Sequence, residues 1–184
     1  MKKLTIIFAH PDPKNSIANN TAVETVLQKY PNASLRNLSE LYPDFNIDVE
    51  AEQKNLVDAD IILLQFPINW YNMPSILKQW IDKVFTYGFA YGTGGDKLAG
   101  KTLLISATSG ASEEDYTPLG KVHFRLREFF YNIECTAYLC ELKFTEPIFS
   151  YGNLYIPNVV NTPEAIKAKA KLQAEEVIKA IEKV

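Results

Sequence analysis

The sequence predicts an α/β protein in which helices cover both faces of a parallel β-sheet. Short uninterrupted apolar runs, typical of strands buried on both faces, alternate along the chain with amphipathic helical patterns. Consecutive parallel strands need a crossover connection, and a helix packed on the sheet is its usual form. The alternation therefore favours a five-stranded parallel sheet with helices on both sides.

The first half of the chain opens with a strand, a loop and a helix. Residues 4–9 are apolar and bounded by turn residues, which predicts a buried first strand. Asn15 and Ser16 then precede a pattern of apolar residues at helical spacing. A second strand is predicted near residues 34–38, and residues 48–57 form a weaker helical stretch.

Two further apolar segments, residues 60–66 and 101–107, predict the third and fourth buried strands. A loop follows the third strand, and Pro74 stands at the first turn of the next helix, where a missing amide hydrogen costs nothing. The helix has one apolar face, so it is expected to pack on the sheet between these two strands.

The last third of the chain predicts a helix, a fifth strand and a terminal helix. The fifth strand is expected over residues 138–144. Thr162 is a good N-cap for the terminal helix, and Pro163 suits its first position. The helix before the fifth strand is marked by apolar residues at Leu119, Val122, Leu126, Phe129, Phe130 and Ile133.

Composition and charge bound the class of protein. The 184 residues are 47% apolar and 22% charged, which is ordinary globular usage, and the length predicts one domain spanning residues 1–184. The net charge of -3 and the absence of a run of Lys and Arg argue against a nucleic-acid partner. Cys135 and Cys140 match neither a redox nor a zinc spacing, so two reduced thiols and no metal site are expected.

A cytoplasmic location is the expectation from the distribution of apolar residues. The apolar run near the amino terminus stops after Ala9 and meets His10, Pro11 and Asp12, so it reads as a strand rather than a signal peptide. No later segment has the roughly 18 uninterrupted apolar residues expected of a membrane span.

Ligands of parallel α/β sheets bind beyond the carboxyl ends of the strands, which nominates three loops. The first, residues 10–18, leads into a helix whose free amides and positive dipole end suit a phosphate. Ser16 adds a hydroxyl donor there. The alternative is that Ser16 or Asn15 merely caps the helix, and from this loop alone capping is favoured.

The other two loops have their own alternatives. In residues 67–74, aromatic side chains stand between a strand and a helix, where they either flank a planar ring or pack as a lid over the core. Residues 108–118 begin with small side chains, so their backbone can approach a ligand closely. His123, beyond this loop, is by itself most simply a solvated or partly buried residue. The glycines of residues 92–95 follow no strand end and therefore do not form a dinucleotide-binding fingerprint.

Taken in order, several segments resemble the NAD(P)H:quinone oxidoreductase family, in particular its short bacterial members, which include the ancillary proteins of glutathione-gated potassium-efflux systems. The resemblance covers most of the chain. The matching positions are His10-Pro11, Ser16, Asn19, 66–70, Pro74, Leu77-Lys78, Trp80, Asp82, Val84, 88–92, Leu98, Gly100-Lys101, 108–110 and Tyr116.

The resemblance implies a flavodoxin-like fold with strand order 2-1-3-4-5 and a bound flavin that passes a hydride from NAD(P)H to a quinone-like acceptor. FMN is expected because the chain lacks the carboxyl-terminal extension of the large FAD members, with FAD as the alternative. A homodimer with the flavin at the subunit boundary is also implied. The alternative function is a flavin-binding regulatory subunit that docks on a membrane potassium-efflux protein, and a one-electron carrier is disfavoured because the first loop lacks the Thr- and Gly-rich phosphate sequence of flavodoxins.

The resemblance also assigns roles to individual residues. The flavin phosphate and ribityl chain are expected at His10, Ser16, Ile17, Ala18 and Asn19. The edge of the isoalloxazine ring is expected at Pro67, Ile68, Asn69, Trp70 and Tyr71, and its pyrimidine end at Thr108, Ser109, Gly110 and Ala111. The catalytic pair, which would balance charge on the reduced ring, is expected at Tyr116 and His123.

Overall fold

A parallel β-sheet forms the middle layer of the structure, a computed structural model that describes residues 2–184. Its strand order is β2-β1-β3-β4-β5, with β6 also paired to β4, so the order implied by the resemblance is confirmed. The strands are β1 (Leu4–Phe8), β2 (Ser34–Asn37), β3 (Ile61–Pro67), β4 (Thr102–Thr108), β5 (Lys143–Phe144) and β6 (Ile148–Ser150).

Helices cover both faces of the sheet, as the alternating pattern predicts. Three short 3₁₀ turns lie at Pro13–Asn15, Glu114–Tyr116 and Leu126–Phe130. Among residues 2–184, no helix combines the length and the apolar character needed to cross a bilayer. The α-helices are α1 (Ile17–Lys29), α2 (Leu38–Leu41), α3 (Val49–Asp58), α4 (Ser75–Val84), α5 (Tyr131–Leu139) and α6 (Pro163–Lys183).

The sheet separates two hydrophobic clusters because successive strand residues point to opposite faces. Ile6 and Phe8 of β1 pack with the apolar stripes of α1 and α6 on one side. Ile7 of the same strand points to the other side, where α3, α4 and α5 bury side chains such as Leu56 and Trp80. Burial on both faces accounts for the largely apolar runs by which the central strands were predicted.

The first four strands are confirmed to within one residue at each end. The fifth position of the sheet differs from the prediction, because it is shared by two short strands rather than one over residues 138–144. Lys143 and Phe144 pair with Thr102 and Leu103, whereas Ile148 pairs with Ser106, so three residues on the edge oppose two on β4. This one-residue bulge contains Pro147, which has no amide hydrogen for the ladder.

The helix before this strand also begins later than predicted. Leu119 is 98% exposed and lies with Val122 in a loop, where Pro118 and Gly120 disfavour helix. Residues 138 and 139, predicted as strand, instead form the exposed end of α5. A short apolar run does not by its period distinguish a helix end from a strand, which explains the error.

The carboxylate of Glu52 on α3 is fully buried and accepts hydrogen bonds from three side chains outside its own helix. Its Oε1 accepts from Arg36 Nε at 2.9 Å and from the Tyr42 hydroxyl at 2.6 Å, while Oε2 accepts from Trp80 Nε1 at 2.9 Å. Burial and the adjacent carboxylate raise the pKa of Tyr42 to about 12, so its hydroxyl stays a donor at neutral pH. The cluster ties β2, α3 and α4 together.

Candidate functional site

A cavity of about 430 Å³ opens at the carboxyl ends of β1, β3 and β4, which is where parallel α/β sheets bind their ligands. Its volume falls within the range of small-molecule sites. The lining mixes polar and apolar side chains, and its ionisable groups are His10 and Tyr155. The residues that line it are His10, Asn15, Ser16, Ile17, Ala18, Asn19, Pro67, Ile68, Thr108, Ser109, Gly110, Asn153, Leu154, Tyr155 and Ile166.

The amino terminus of α1 forms one wall of the cavity. Ser16 is the N-cap residue, yet within residues 2–184 its side chain makes no capping hydrogen bond, and Asn15 Nδ2 instead donates to Asp12 Oδ2 at 2.7 Å. By contrast, Asp48 and Thr162 cap α3 and α6 through bonds to the amides of the first turn. The amides at the start of α1 are thus left available to an anion in the cavity.

His10 contributes a neutral hydrogen-bond donor beside this wall. Burial lowers the pKa of His10, so the imidazole is uncharged at neutral pH. Its Nδ1 accepts from the amide of Asp12 at 3.0 Å, which places the ring proton on Nε2. The carbonyl of His10 in turn accepts from Ser39 Oγ at 2.6 Å, and this bond holds the loop against the segment that follows β2.

The ends of β3 and β4 supply the second and third walls. The amide of Ile68 donates to Thr108 O at 2.8 Å, so the two loops leave the sheet side by side. The amide of Ser109 donates to Ser150 O at 2.7 Å, and the amide of Ala111 donates to Ser109 Oγ at 3.1 Å. Gly110, between these two engaged amides, lies against the cavity.

A fourth wall comes from the segment after β6 and was missed from the sequence. Asn153 is fixed by its side-chain bonds to the carbonyls of Ser109 and Ser150, and Leu154 and Tyr155 follow it into the cavity lining. This segment also follows the carboxyl end of a strand, β6, but the fifth strand was predicted to end at residue 144 and its following loop was not nominated. Ile166, from the first turn of α6, had no signal beyond its apolar spacing.

Four of the predicted flavin-binding residues, Asn69, Trp70, Tyr71 and Ala111, stand outside the lining. The first three belong to a two-residue hairpin turn in which Asn69 and Asn72 exchange backbone hydrogen bonds of 2.9 and 3.0 Å. Both central residues have positive φ, 47° for Trp70 and 62° for Tyr71, as in a type I′ turn. Tyr71 stacks on Phe129 at 5.4 Å, whereas Trp70 is 93% exposed.

Bulky side chains are unfavourable in this backbone conformation, so Trp70→Asn is expected to raise the free energy of unfolding by about 1 kcal/mol. Asparagine adopts positive φ readily, and the exposed indole forfeits little packing. Urea unfolding of the ligand-free protein measures the change. Leu119→Asn, at a similarly exposed site without positive φ, is the control and should change little; equal effects in both variants would count against backbone strain at Trp70.

The predicted catalytic pair is not part of the cavity lining either. Tyr116 is buried among aromatic rings, with ring centroids 6.3 Å from Phe129 and 6.0 Å from Tyr151. His123 is exposed in a turn with φ of 65°, and its amide donates to Gly120 O at 3.2 Å. Their catalytic roles therefore stay predictions.

Comparison with known proteins agrees with the sheet topology. A family model described as "Flavodoxin-like fold" matches residues 2–178. The chain is 44% identical to the glutathione-regulated potassium-efflux system ancillary protein KefF of Salmonella newport (strain SL254), over 93% of this chain and 96% of that protein. It is 39% identical to the uncharacterized NAD(P)H oxidoreductase YrkL of Bacillus subtilis (strain 168), over 90% of this chain and 95% of the relative.

Two solved structures are similar along nearly the whole chain. General stress protein 14 of Treponema denticola, in complex with FMN, superimposes with a TM-score of 0.86 at 32% identity and covers 98% of both chains. An NADPH-quinone reductase from P. pentosaceus gives a TM-score of 0.78 at 26% identity, over 95% of this chain and 96% of that one. The chain therefore belongs to the flavodoxin-like family of NAD(P)H oxidoreductases that includes the Kef ancillary proteins.

Proposed function

We propose that residues 1–184 form a single domain that binds FMN in the described cavity and transfers a hydride from NAD(P)H to a quinone-like acceptor. The observation that carries the proposal is the uncapped amino terminus of α1 in the cavity wall, with Ser16 beside it. Helix amides and a positive dipole end suit a phosphate group. Among the two solved neighbours, the one whose ligand is named holds FMN.

The phosphate end would be held without a cationic side chain. Ser16 Oγ, the first-turn amides of α1 and the Nε2 proton of neutral His10 are the donors available to it. Hydrogen bonds from neutral groups to an anion are stronger than those between neutral partners. Ile17, Ala18 and Asn19 complete this end, in keeping with the residues assigned to the phosphate and ribityl chain.

The ring end would lie between the loops after β3 and β4. Pro67 and Ile68 supply an apolar edge, while the backbone near Gly110 faces the opposite side. When bound, FMN would supply the hydride-transfer chemistry that links the nicotinamide to the acceptor. The backbone at Gly110, between two amides already bonded within the protein, would stabilise negative charge on the ring, and the apolar edge would exclude water from it.

The finer assignments belong to the same proposal. Asn69, Trp70, Tyr71 and Ala111 would flank the ring from outside the present lining, and Tyr116 and His123 would balance its charge. A homodimer would cover the exposed apolar side chains of Trp70 and Leu154 beside the cavity. The cytoplasmic location is retained as a prediction.

Anaerobic mixing of the FMN-loaded protein with NADPH, and separately with NADH, tests the proposal. We expect at least one nicotinamide to bleach the visible flavin absorbance and an added quinone to restore it. Because both substrates would use one cavity in turn, steady-state rates should follow ping-pong kinetics. Free FMN at the same concentration is the control, and a spectrum unchanged by either nicotinamide would refute the hydride-transfer role.

A second candidate is a regulatory subunit of a membrane potassium-efflux protein. The 44% identity to KefF along 93% of the chain favours it. The same flavin site would then report nicotinamide availability to the membrane partner. Tight co-purification with such a partner would support docking, whereas full reductase turnover by the isolated protein would show that the partner is dispensable for catalysis.

A further inference from the structure

We propose that Gln65, which does not line the cavity, is a positioning residue that keeps the hydroxyl hydrogens of Ser16 and Thr108 directed at bound FMN. This role rests on the proposed FMN site, so the experiment must distinguish failure of the positioning role from failure of FMN binding. Gln65 lies on β3, is 2% exposed, and acts through Asn19, which is also 2% exposed.

The three elements that meet at Asn19 form one buried hydrogen-bond network. Gln65 Nε2 donates to Asn19 Oδ1 at 2.8 Å. Asn19 Nδ2 donates to Thr108 Oγ1 at 2.9 Å and to Ser16 Oγ at 3.2 Å. The network thus joins β3, the first turns of α1 and the end of β4.

The number of hydrogens available to these groups gives the network a direction. An asparagine amide offers one acceptor oxygen and two donor hydrogens, and a hydroxyl has one hydrogen. Because Gln65 donates to Oδ1, the nitrogen of Asn19 faces the two hydroxyls. Ser16 and Thr108 each accept from Asn19, so each retains its own hydrogen for a ligand in the cavity that both residues line.

Reversal of the Asn19 amide would invert this arrangement. Its oxygen would then accept from Ser16 and Thr108, so both hydroxyls would donate their hydrogens to Asn19 rather than to a ligand. The lone pairs left towards the cavity would repel a phosphate and a reduced ring. The donor at position 65 therefore decides whether the two hydroxyls act as donors or acceptors towards FMN.

The test is a set of FMN dissociation constants measured by quenching of flavin fluorescence. Gln65→Leu removes the donor, and we expect FMN affinity to fall about tenfold or more. In a background that carries Ser16→Ala and Thr108→Val, the same change should alter affinity by less than about twofold, because no hydroxyl remains to be directed. Additive effects in this cycle would overturn the proposal.

A second route keeps the proposal testable if Gln65→Leu folds poorly. Gln65→Met keeps the length of the side chain but cannot donate to Asn19 Oδ1, so it should reproduce the loss of FMN affinity without placing a charge beside the phosphate. Gln173→Leu is the matched control: Gln173 is 4% exposed and donates to Ser106 Oγ at 2.9 Å away from the cavity lining. We expect it to lower the urea midpoint of the ligand-free protein and to leave the FMN dissociation constant unchanged.

The possible results distinguish the positioning role of Gln65 from the proposed FMN site. Equal losses of FMN affinity in the Gln65 and Gln173 variants would show a general structural effect and overturn the positioning role alone. Failure of the unmodified protein to bind FMN would remove the proposed function, and the positioning role with it.

Discussion

Replacement of Glu52 by alanine is expected to lower the free energy of unfolding by about 3–5 kcal/mol, a large part of the stability of an ordinary domain. The buried carboxylate accepts from Arg36, Tyr42 and Trp80, and its removal leaves these donors without their acceptor. Desolvated donors without partners cost far more than the net value of the bonds that they made. Urea unfolding of the ligand-free protein, monitored by circular dichroism, measures the loss.

Glu50→Ala on the same helix is the control for the loss of a glutamate from α3. Glu50 is exposed, so its substitution should cost less than about 1 kcal/mol. Glu52→Gln should fall between the two, because an amide keeps one acceptor oxygen but turns an NH₂ group towards a donor. A loss for Glu52→Ala no greater than that for Glu50→Ala would contradict the structural role of the buried cluster.

Replacement of Ser16 by aspartate is expected to weaken FMN binding about 100-fold while leaving the fold at least as stable. Aspartate is a good N-cap, and its charge favours the helix dipole, so α1 should gain the cap that it lacks. The same carboxylate would occupy the donors intended for the phosphate and repel it. Flavin fluorescence measures the loss of FMN affinity, and urea unfolding of the ligand-free variant and of the unmodified protein measures the change in stability.

Two comparisons make this prediction specific. Riboflavin lacks the phosphate, so Ser16→Asp should weaken its binding much less than that of FMN. Ser75→Asp places a carboxylate at the start of α4, outside the cavity lining, and should leave FMN affinity unchanged. If Ser16→Asp binds FMN as tightly as the unmodified protein, the phosphate does not sit at the amino terminus of α1.

Much of the fold was predictable because burial on both faces imposes a simple pattern. Residues 61–67 and 102–108 lie in the centre of the sheet, and their largely apolar sequences admit few other interpretations. The edge strand lacks that constraint. β5 and β6 have two and three residues, too few for a periodic signal. The last residues of α5, which precede them, were therefore mistaken for part of a strand.

The candidate site was predictable as a location but not as a mechanism of binding. Because ligands of parallel sheets bind beyond the carboxyl ends of the strands, the loops after β1, β3 and β4 were predicted, and residues of all three line one cavity. Whether Ser16 caps α1 depends on Asn19, whose amide also bonds Thr108, 89 residues away, and Gln65, 46 residues away. Contacts at such separations leave no local pattern, so the loop alone favoured capping by Ser16, whereas the structure, over residues 2–184, shows no capping hydrogen bond from that side chain.

The bulge between β5 and β6 keeps both halves of the sheet edge in phase with the hydrophobic core. Phe149 stands five positions after Phe144, which in a regular strand would place the two on opposite faces, yet both pack on the cluster that contains α5, because the extra residue restores the alternation. Both strands of the sheet edge therefore pack against the hydrophobic core, and β6 also leads into the segment that brings Asn153 to the cavity. Substitutions at Asn153 and Leu154 can therefore change the wall of the cavity while the side chains of β5 and β6 keep their places in the core.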